Sequence, residues 1–263
     1  PSMLPFYGED EDDILDETVF QLFAMGFARK YSIRRVRFSG CCLLNPKLLA
    51  AMSKFFIENS NLCRIDFSNC FLGDDSTCAL AAALASRWNK SSVIAIHLHW
   101  SASCSDDANG ELLEALAGFS NLKTMSLVAI RMRKTGCAAL GKVLRNCDLE
   151  SLSLRCDCVL DSECWVAFRD KLGGVSQLDL SYNPISRGLC GISKGLSNKS
   201  SVKVLRLSRC QIDDEGVLAL GNALSNDTTM EELHLDSNTE IQVEGWCGFF
   251  KCLEKGSMSK LKT

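Results

Sequence analysis

The chain has 263 residues, 46% of them hydrophobic and 23% charged, enough to bury a sizeable core without metal ions or disulfides as staples. Its net charge of −3, from 29 basic and 32 acidic residues, offers no global field to a nucleic acid or an anionic membrane. No apolar run approaches the roughly 18–20 residues of a membrane span, and no basic region followed by an apolar block marks the N-terminus as a secretion signal.

Residues 1–8 show no period. Five consecutive acids, residues 9–13, then precede an apolar stripe of Ile14, Leu15, Val19, Phe20, Leu22, Phe23 and Phe27 that ends at Arg29 and Lys30. Acids in front and bases behind complement a helix dipole. The pattern predicts a helical cap over residues 1–31, and the other reading of the acidic run is a partner-binding tail.

From Ile33 onward one pattern recurs, with apolar residues at offsets 0, 3 and 5, a small or polar residue at 8 and an apolar one at 10. Ile33, Val36, Phe38, Cys41 and Leu43 form the first copy, and Leu62, Ile65, Phe67, Cys70 and Leu72 the second. Val93, Ile96 and Leu98 begin the least regular copy, in which Ser101 and Ser103 replace the last two positions. Copies follow from Leu122, Leu149, Val175, Val202 and Met230, the last with Ile241 displaced by one. Eight copies, 26 to 31 residues apart, have the spacing of stacked strand–helix repeats. Apolar residues four apart predict helices at 75–84, 136–144, 188–196, 216–224 and 245–253, and residues 101–109 read as a loop. Residues 258–261 mirror 230–233, as the start of a truncated ninth repeat. With Pro1 in place of an initiating Met, this points to a portion of a longer protein.

The repeat resembles the ribonuclease-inhibitor-like subclass of leucine-rich repeats. The resemblance implies an α/β, right-handed β-α solenoid, shaped as a horseshoe with the parallel sheet on the concave face and helices on the convex face. Helices about 10 Å wide over strands about 4.8 Å apart require such curvature. The expected organisation is a cap over 1–31, eight repeats over 32–257 and the start of a ninth over 258–263.

Fifteen cysteines include no pair or Cys/His cluster with familiar zinc spacing. Cys41, Cys70 and Cys210 stand at the strand exit, where the family uses Asn or Cys to satisfy backbone groups. Cys78, Cys137, Cys164, Cys190 and Cys247 are expected on the buried helix face. Both sets read as reduced core thiols of a cytoplasmic or nuclear protein. The acidic residues fall in turns and on helix surfaces, with solvation as their expected role.

No phosphate-loop, nucleophile-elbow or zinc-protease motif occurs. His97 and His99 alternate on one strand face with Cys104 and Asp106-Asp107 beyond, but no third ligand has metal-site spacing, so no metal or cofactor is expected. Offsets 4, 6 and 7 are expected to project from the concave sheet and mix charges of both signs with hydroxyls and aromatics. That mixture suits a protein partner better than a phosphate backbone. The candidate contact residues are His97, His99, Trp100, Arg155, Asp179, Tyr182, Arg206, Arg209, His234 and Asp236. The expected function is a non-enzymatic protein-binding module with an unidentified partner. The alternatives are a regulator of a small GTPase, like the Ran GTPase-activating proteins of this repeat subclass, and a segment of a cytoskeletal or ciliary scaffold.

Overall fold

A computed structural model of the chain describes residues 3–7, 33–39, 55–57, 59–70, 72–86, 90–100, 104–155, 174–185, 189–197, 201–225 and 229–254. The expected helical cap beyond residue 7 and the expected ninth repeat lie outside these residues. The chain divides into two compact units, Pro1–Asp148 and Leu149–Thr263.

In the first unit β1 (Met3–Tyr7), β2 (Arg35–Ser39), β3 (Arg64–Cys70), β4 (Ala95–Trp100) and β5 (Thr124–Val128) lie in sequence order, each pairing in parallel with the next. Helices α1 (Asp74–Ala85), α2 (Asp106–Leu116) and α3 (Lys134–Asn146) follow β3, β4 and β5 and pack side by side. In the second unit β6 (Ser151–Arg155), β7 (Gln177–Asp179), β8 (Val204–Arg206) and β9 (Glu232–His234) repeat the parallel arrangement. Helices α4 (Leu189–Ser197), α5 (Asp214–Leu224) and α6 (Val243–Glu254) again pack in sequence order. The fold is the α/β leucine-rich-repeat fold, with one strand of β2 to β9 at each of the eight copies of the pattern.

The alternation that defines the pattern is the pleat of a strand with one face buried. Val36, Phe38, Ile65, Phe67, Ile96, Leu98, Met125 and Leu127 are all at most 3% exposed. Phe38 stacks on Phe67 with ring centroids 5.0 Å apart, and the paired helix residues Leu140 and Leu144, Ile192 and Leu196, and Leu220 and Leu224 are buried.

Two elements depart from the sequence reading. Met3–Tyr7 is a strand in register with β2, although residues 1–8 have no period. Asp106–Leu116 is a helix, so the second half of the expected 101–109 loop is helical. Ser105 Oγ accepts the Ala108 amide at 3.2 Å as its N-cap, and Asp106 and Asp107 occupy its first turn.

Strand exits are held by the offset-8 residue. Asn183 Nδ2 donates to Leu154 O and Leu180 O, each at 2.7 Å. Asn238 Nδ2 donates to Leu207 O and Leu235 O, each at 2.8 Å, while its Oδ1 accepts the amides of Cys210 and Ile212. The Cys210 thiol donates to Leu180 O at 3.3 Å and Cys70 to Phe38 O at 3.6 Å. A buried carbonyl costs little when such a donor is supplied.

The helix layer has its own connections. Asp106 on α2 accepts the amides of Thr135 at 2.7 Å and Gly136 at 3.0 Å, and that of Arg133, at the start of α3. Asp74 on α1 likewise accepts the Ser105 amide, and Asp214 on α5 the Gln242 amide, both at 2.7 Å. These carboxylates bind amides at the start of the next repeat's helix, which corrects the expectation that such acids are only solvated, and they suit the unpaired amides found there.

The cysteines also differ from expectation in part. Cys70, Cys104, Cys147 and Cys210 are free and buried, but Cys247 is free and exposed rather than buried. Cys137 is buried and disulfide-bonded, which departs from a wholly reduced set. Cys41 and Cys164, and the side chain of Cys190, lie outside the described residues. Among the described residues no helix is long and apolar enough to cross a membrane.

Candidate functional site

Each strand sends one set of side chains into the core and the other outward, and register aligns the outward sets into columns. In the first unit Arg35 pairs with Arg64 and Arg64 with Ala95, while Arg37 pairs with Asp66 and Asp66 with His97. The outward face therefore includes the offset-2 column, Arg35, Arg64, Ala95 and Thr124, which the candidate set omits. Its parity is that of offsets 4 and 6, and that parity was the available signal.

Asp66 is the buried anchor of this face, at 4% exposure. Its carboxylate accepts from Arg37 Nε at 3.0 Å and from Ser68 Oγ, and lies 3.9 Å from an Arg64 guanidinium nitrogen. His97 is half-buried, and its Nε2 has no hydrogen-bond partner. Burial first, and then the positive charge of Arg64, push its pKa below the ordinary 6.5, against the pull of Asp66. His99 Nε2 lies 3.2 Å from Ser126 Oγ. Cys104 is turned away into the core, where its thiol bonds Leu72 O at 3.2 Å and lies 3.1 Å from Thr77 Oγ1. Among the described residues no three His, Cys, Asp or Glu side chains group to hold a metal ion. Trp100 pairs with Cys70 through its backbone, and its side chain lies outside the described residues.

The second unit brings the candidates into two clusters. Tyr182, 41% exposed, lies between two guanidinium groups, with Arg155 Cζ 5.1 Å and Arg209 Cζ 5.4 Å from its ring centroid. Arg155 Nε is in turn 3.7 Å from Asp179 Oδ2, and Asp179 Oδ1 accepts the Ser181 amide at 3.0 Å. In the second cluster Glu232, which the candidate set lacks, lies 3.7 Å from Arg206 and 3.6 Å from His234. Asp236 accepts from Ser208 Oγ at 2.6 Å, and that bond leads the causes holding its carboxyl below the usual carboxylate range.

Asn69 and Trp100 at offset 7 still belong to β3 and β4, but four later offset-7 residues lie past their strands. Ala129, Tyr182, Arg209 and Ser237 have φ of 59°, 65°, 55° and 58°, a left-handed turn adopted by non-glycine side chains. The turn amides continue the ladder, Tyr182 N to Ser208 O at 2.9 Å and Arg209 N to Asp236 O at 3.0 Å. Tyr182 and Arg209 thus project from a turn next to the strand surface.

Residues 198–221 match the family model described as Leucine Rich repeat. Over 189 residues the chain is 26% identical to mouse (Mus musculus) ribonuclease inhibitor, a match covering 69% of this chain and 40% of that protein. The chain has the leucine-rich-repeat fold and is similar to proteins of the ribonuclease-inhibitor-like type. This leucine-rich-repeat chain matches only 40% of the length of that curated relative. Its fold is also that of the crystal structure of an internalin from Listeria monocytogenes, with a TM-score of 0.54 at 15% identity, over 94% of this chain and 69% of the internalin.

Proposed function

We propose that this leucine-rich-repeat chain is a protein-binding module, not an enzyme, whose sheet face contacts a protein partner and which works as part of a longer protein. The observation that carries the reading is Tyr182 held between Arg155 and Arg209. An exposed aromatic with two guanidinium groups over its ring loses part of its freedom before a partner arrives, which lowers the ordering cost of binding. Tyr and Arg are also the residue types that dominate interface hot spots. A relative whose name describes inhibition of a ribonuclease is in keeping with a protein ligand.

Affinity capture from cells with the intact chain, read by mass spectrometry, identifies the partner. Tyr182→Ala and Arg206→Ala then weaken that partner's binding while the unfolding midpoint stays unchanged. Full affinity in both variants, with loss from Glu215→Ala or Lys142→Ala on the helices, would place the contact elsewhere.

A further inference from the structure

Strands β2 and β3 concentrate positive charge on the outward face of the first unit. Arg35 and Arg37 stand two residues apart along β2, and Arg64 on β3 is in register with Arg35. Arg35 is exposed, and the Arg37 and Arg64 side chains are each 36% exposed. With Val36 and Asp66 these three arginines line one surface depression.

Asp66 is the single carboxylate in that depression among the described residues, and it is already engaged. It holds Arg37 through Nε, which orients the guanidinium and leaves its two terminal nitrogens for a second anion. Arg64 approaches Asp66 only to 3.9 Å, beyond hydrogen-bond length. The adjoining faces of β4 and β5 supply Ala95, His97, Thr124 and Ser126 and no further carboxylate. In the second unit, by contrast, Arg155 has Asp179 and Arg206 has Glu232. Among the described residues, the first unit's face alone leaves its arginines in excess of their partners.

We propose that this depression binds an extended, Asp- and Glu-rich peptide segment of the protein partner. The proposal rests on the protein-binding reading above and adds the partner's chemistry. Arg35 and Arg37 repeat along β2 at about 6.7 Å, the spacing of alternate side chains in an extended chain. Carboxylates on alternate residues of a peptide lying across the outward face of β2 meet both. The fixed Asp66 carboxylate at the floor disfavours a multiply charged phosphate, and a chain of net charge −3 has no general affinity for polyanions.

The test uses the whole chain and a fluorescein-labelled nonapeptide of alternating Glu and Ser, read by anisotropy, with the Gln-for-Glu peptide as reference. The Glu peptide binds at least about tenfold tighter than the Gln peptide. Arg35→Gln and Arg64→Gln each weaken it about fivefold, with raised salt acting in the same direction. Arg37 is left intact because it is tied to Asp66, and the unfolding midpoints of the two variants report that the fold is kept. Equal binding of both peptides overturns the proposal, as does undiminished binding in both arginine variants. Heparin competing with the same sensitivity to Arg35→Gln and Arg64→Gln, at matched charge, also overturns it, since the face is then a general polyanion surface. A captured partner that needs Tyr182 but tolerates both arginine variants refutes the acidic-peptide site alone. A partner that ignores all three residues refutes the sheet-face reading as well.

Discussion

The Asp214 carboxylate lies directly on Gly245 of the following repeat: a Cβ added there would stand 2.8 Å from Asp214 Cγ and 3.1 Å from its Cα. The same arrangement joins Asp106 to Gly136, where a Cβ would stand 2.9 Å from Asp106 Oδ1. The glycine two residues into the helix is therefore part of the cap, since it lets the neighbouring carboxylate reach the amides.

Gly245→Ala accordingly destabilises the chain by about 1–3 kcal/mol, the usual range for overpacking. The gain of about 1 kcal/mol that alanine brings to a helix interior acts in the other direction and is outweighed. Urea denaturation measures the change, and a neutral or stabilising result would mean that Asp214 is not packed against this helix.

Loss of the Asp106 carboxylate should unfasten α3. Burial raises the pKa of Asp106, but the amides of Arg133, Gly136 and Thr135 outweigh it, and the carboxyl sits below the ordinary 3.8. A depressed folded-state value means that the contribution is complete above the ordinary carboxylate pKa and is lost as pH falls through the depressed one. Asp106→Ala costs about 1–2 kcal/mol at pH 7. The difference from the parent shrinks below about pH 4, and thermal unfolding across pH 2–7 reads both effects.

Asn238 serves four backbone groups at once, so Asn238→Ala leaves two carbonyls and two amides without their partner. With unsatisfied buried groups at about 1–3 kcal/mol each, and some relief from water, the loss is at least about 3 kcal/mol. Asn238→Cys is milder, because Cys210 fills the same position with a thiol bonded to Leu180 O. Equal losses in the two variants, measured by denaturation, would contradict this role.

Thiol labelling should separate the described cysteines by burial. Burial pushes Cys147 and Cys210 up to about 11, so they hold almost no thiolate at pH 8. Cys247 is exposed on α6. Peptide mapping after brief iodoacetamide treatment finds Cys247 modified, with Cys147 and Cys210 protected until denaturant is added. Native-state labelling of Cys210 ahead of Cys247 would show the strand exit to be open.

The strands were legible because the repeat itself is a burial pattern. Val36 and Phe38, or Leu205 and Leu207, alternate with polar residues, and each recurrence strengthens the reading. β1 escaped because Met3, Leu4 and Phe6 form an apolar cluster with no polar alternation and no exit residue to mark its end. α2 escaped because Gly110 interrupts its pattern and the preceding copy has serines where core residues were expected. The roles of Asp74, Asp106 and Asp214 connect residues roughly one repeat apart, and a carboxylate bound to neighbouring amides reads in sequence like any solvated acid. Within the candidate surface, Arg35, Arg64 and Glu232 share the parity of the chosen columns and could have been included. The left-handed turn at Tyr182 and Arg209 could not, because no glycine marks either position.

The carboxylate caps also give assembly a direction. Helix α3 has its first amides satisfied by a side chain on α2, and α6 by one on α5, so the earlier helix completes the later one. A chain emerging from the ribosome has the earlier helix first, ready to receive each new one as it appears. Truncation from the C-terminal side therefore removes guests and leaves their hosts' own N-termini served. Truncation from the N-terminal side that removes α2 or α5 strips the carboxylate from the start of α3 or α6.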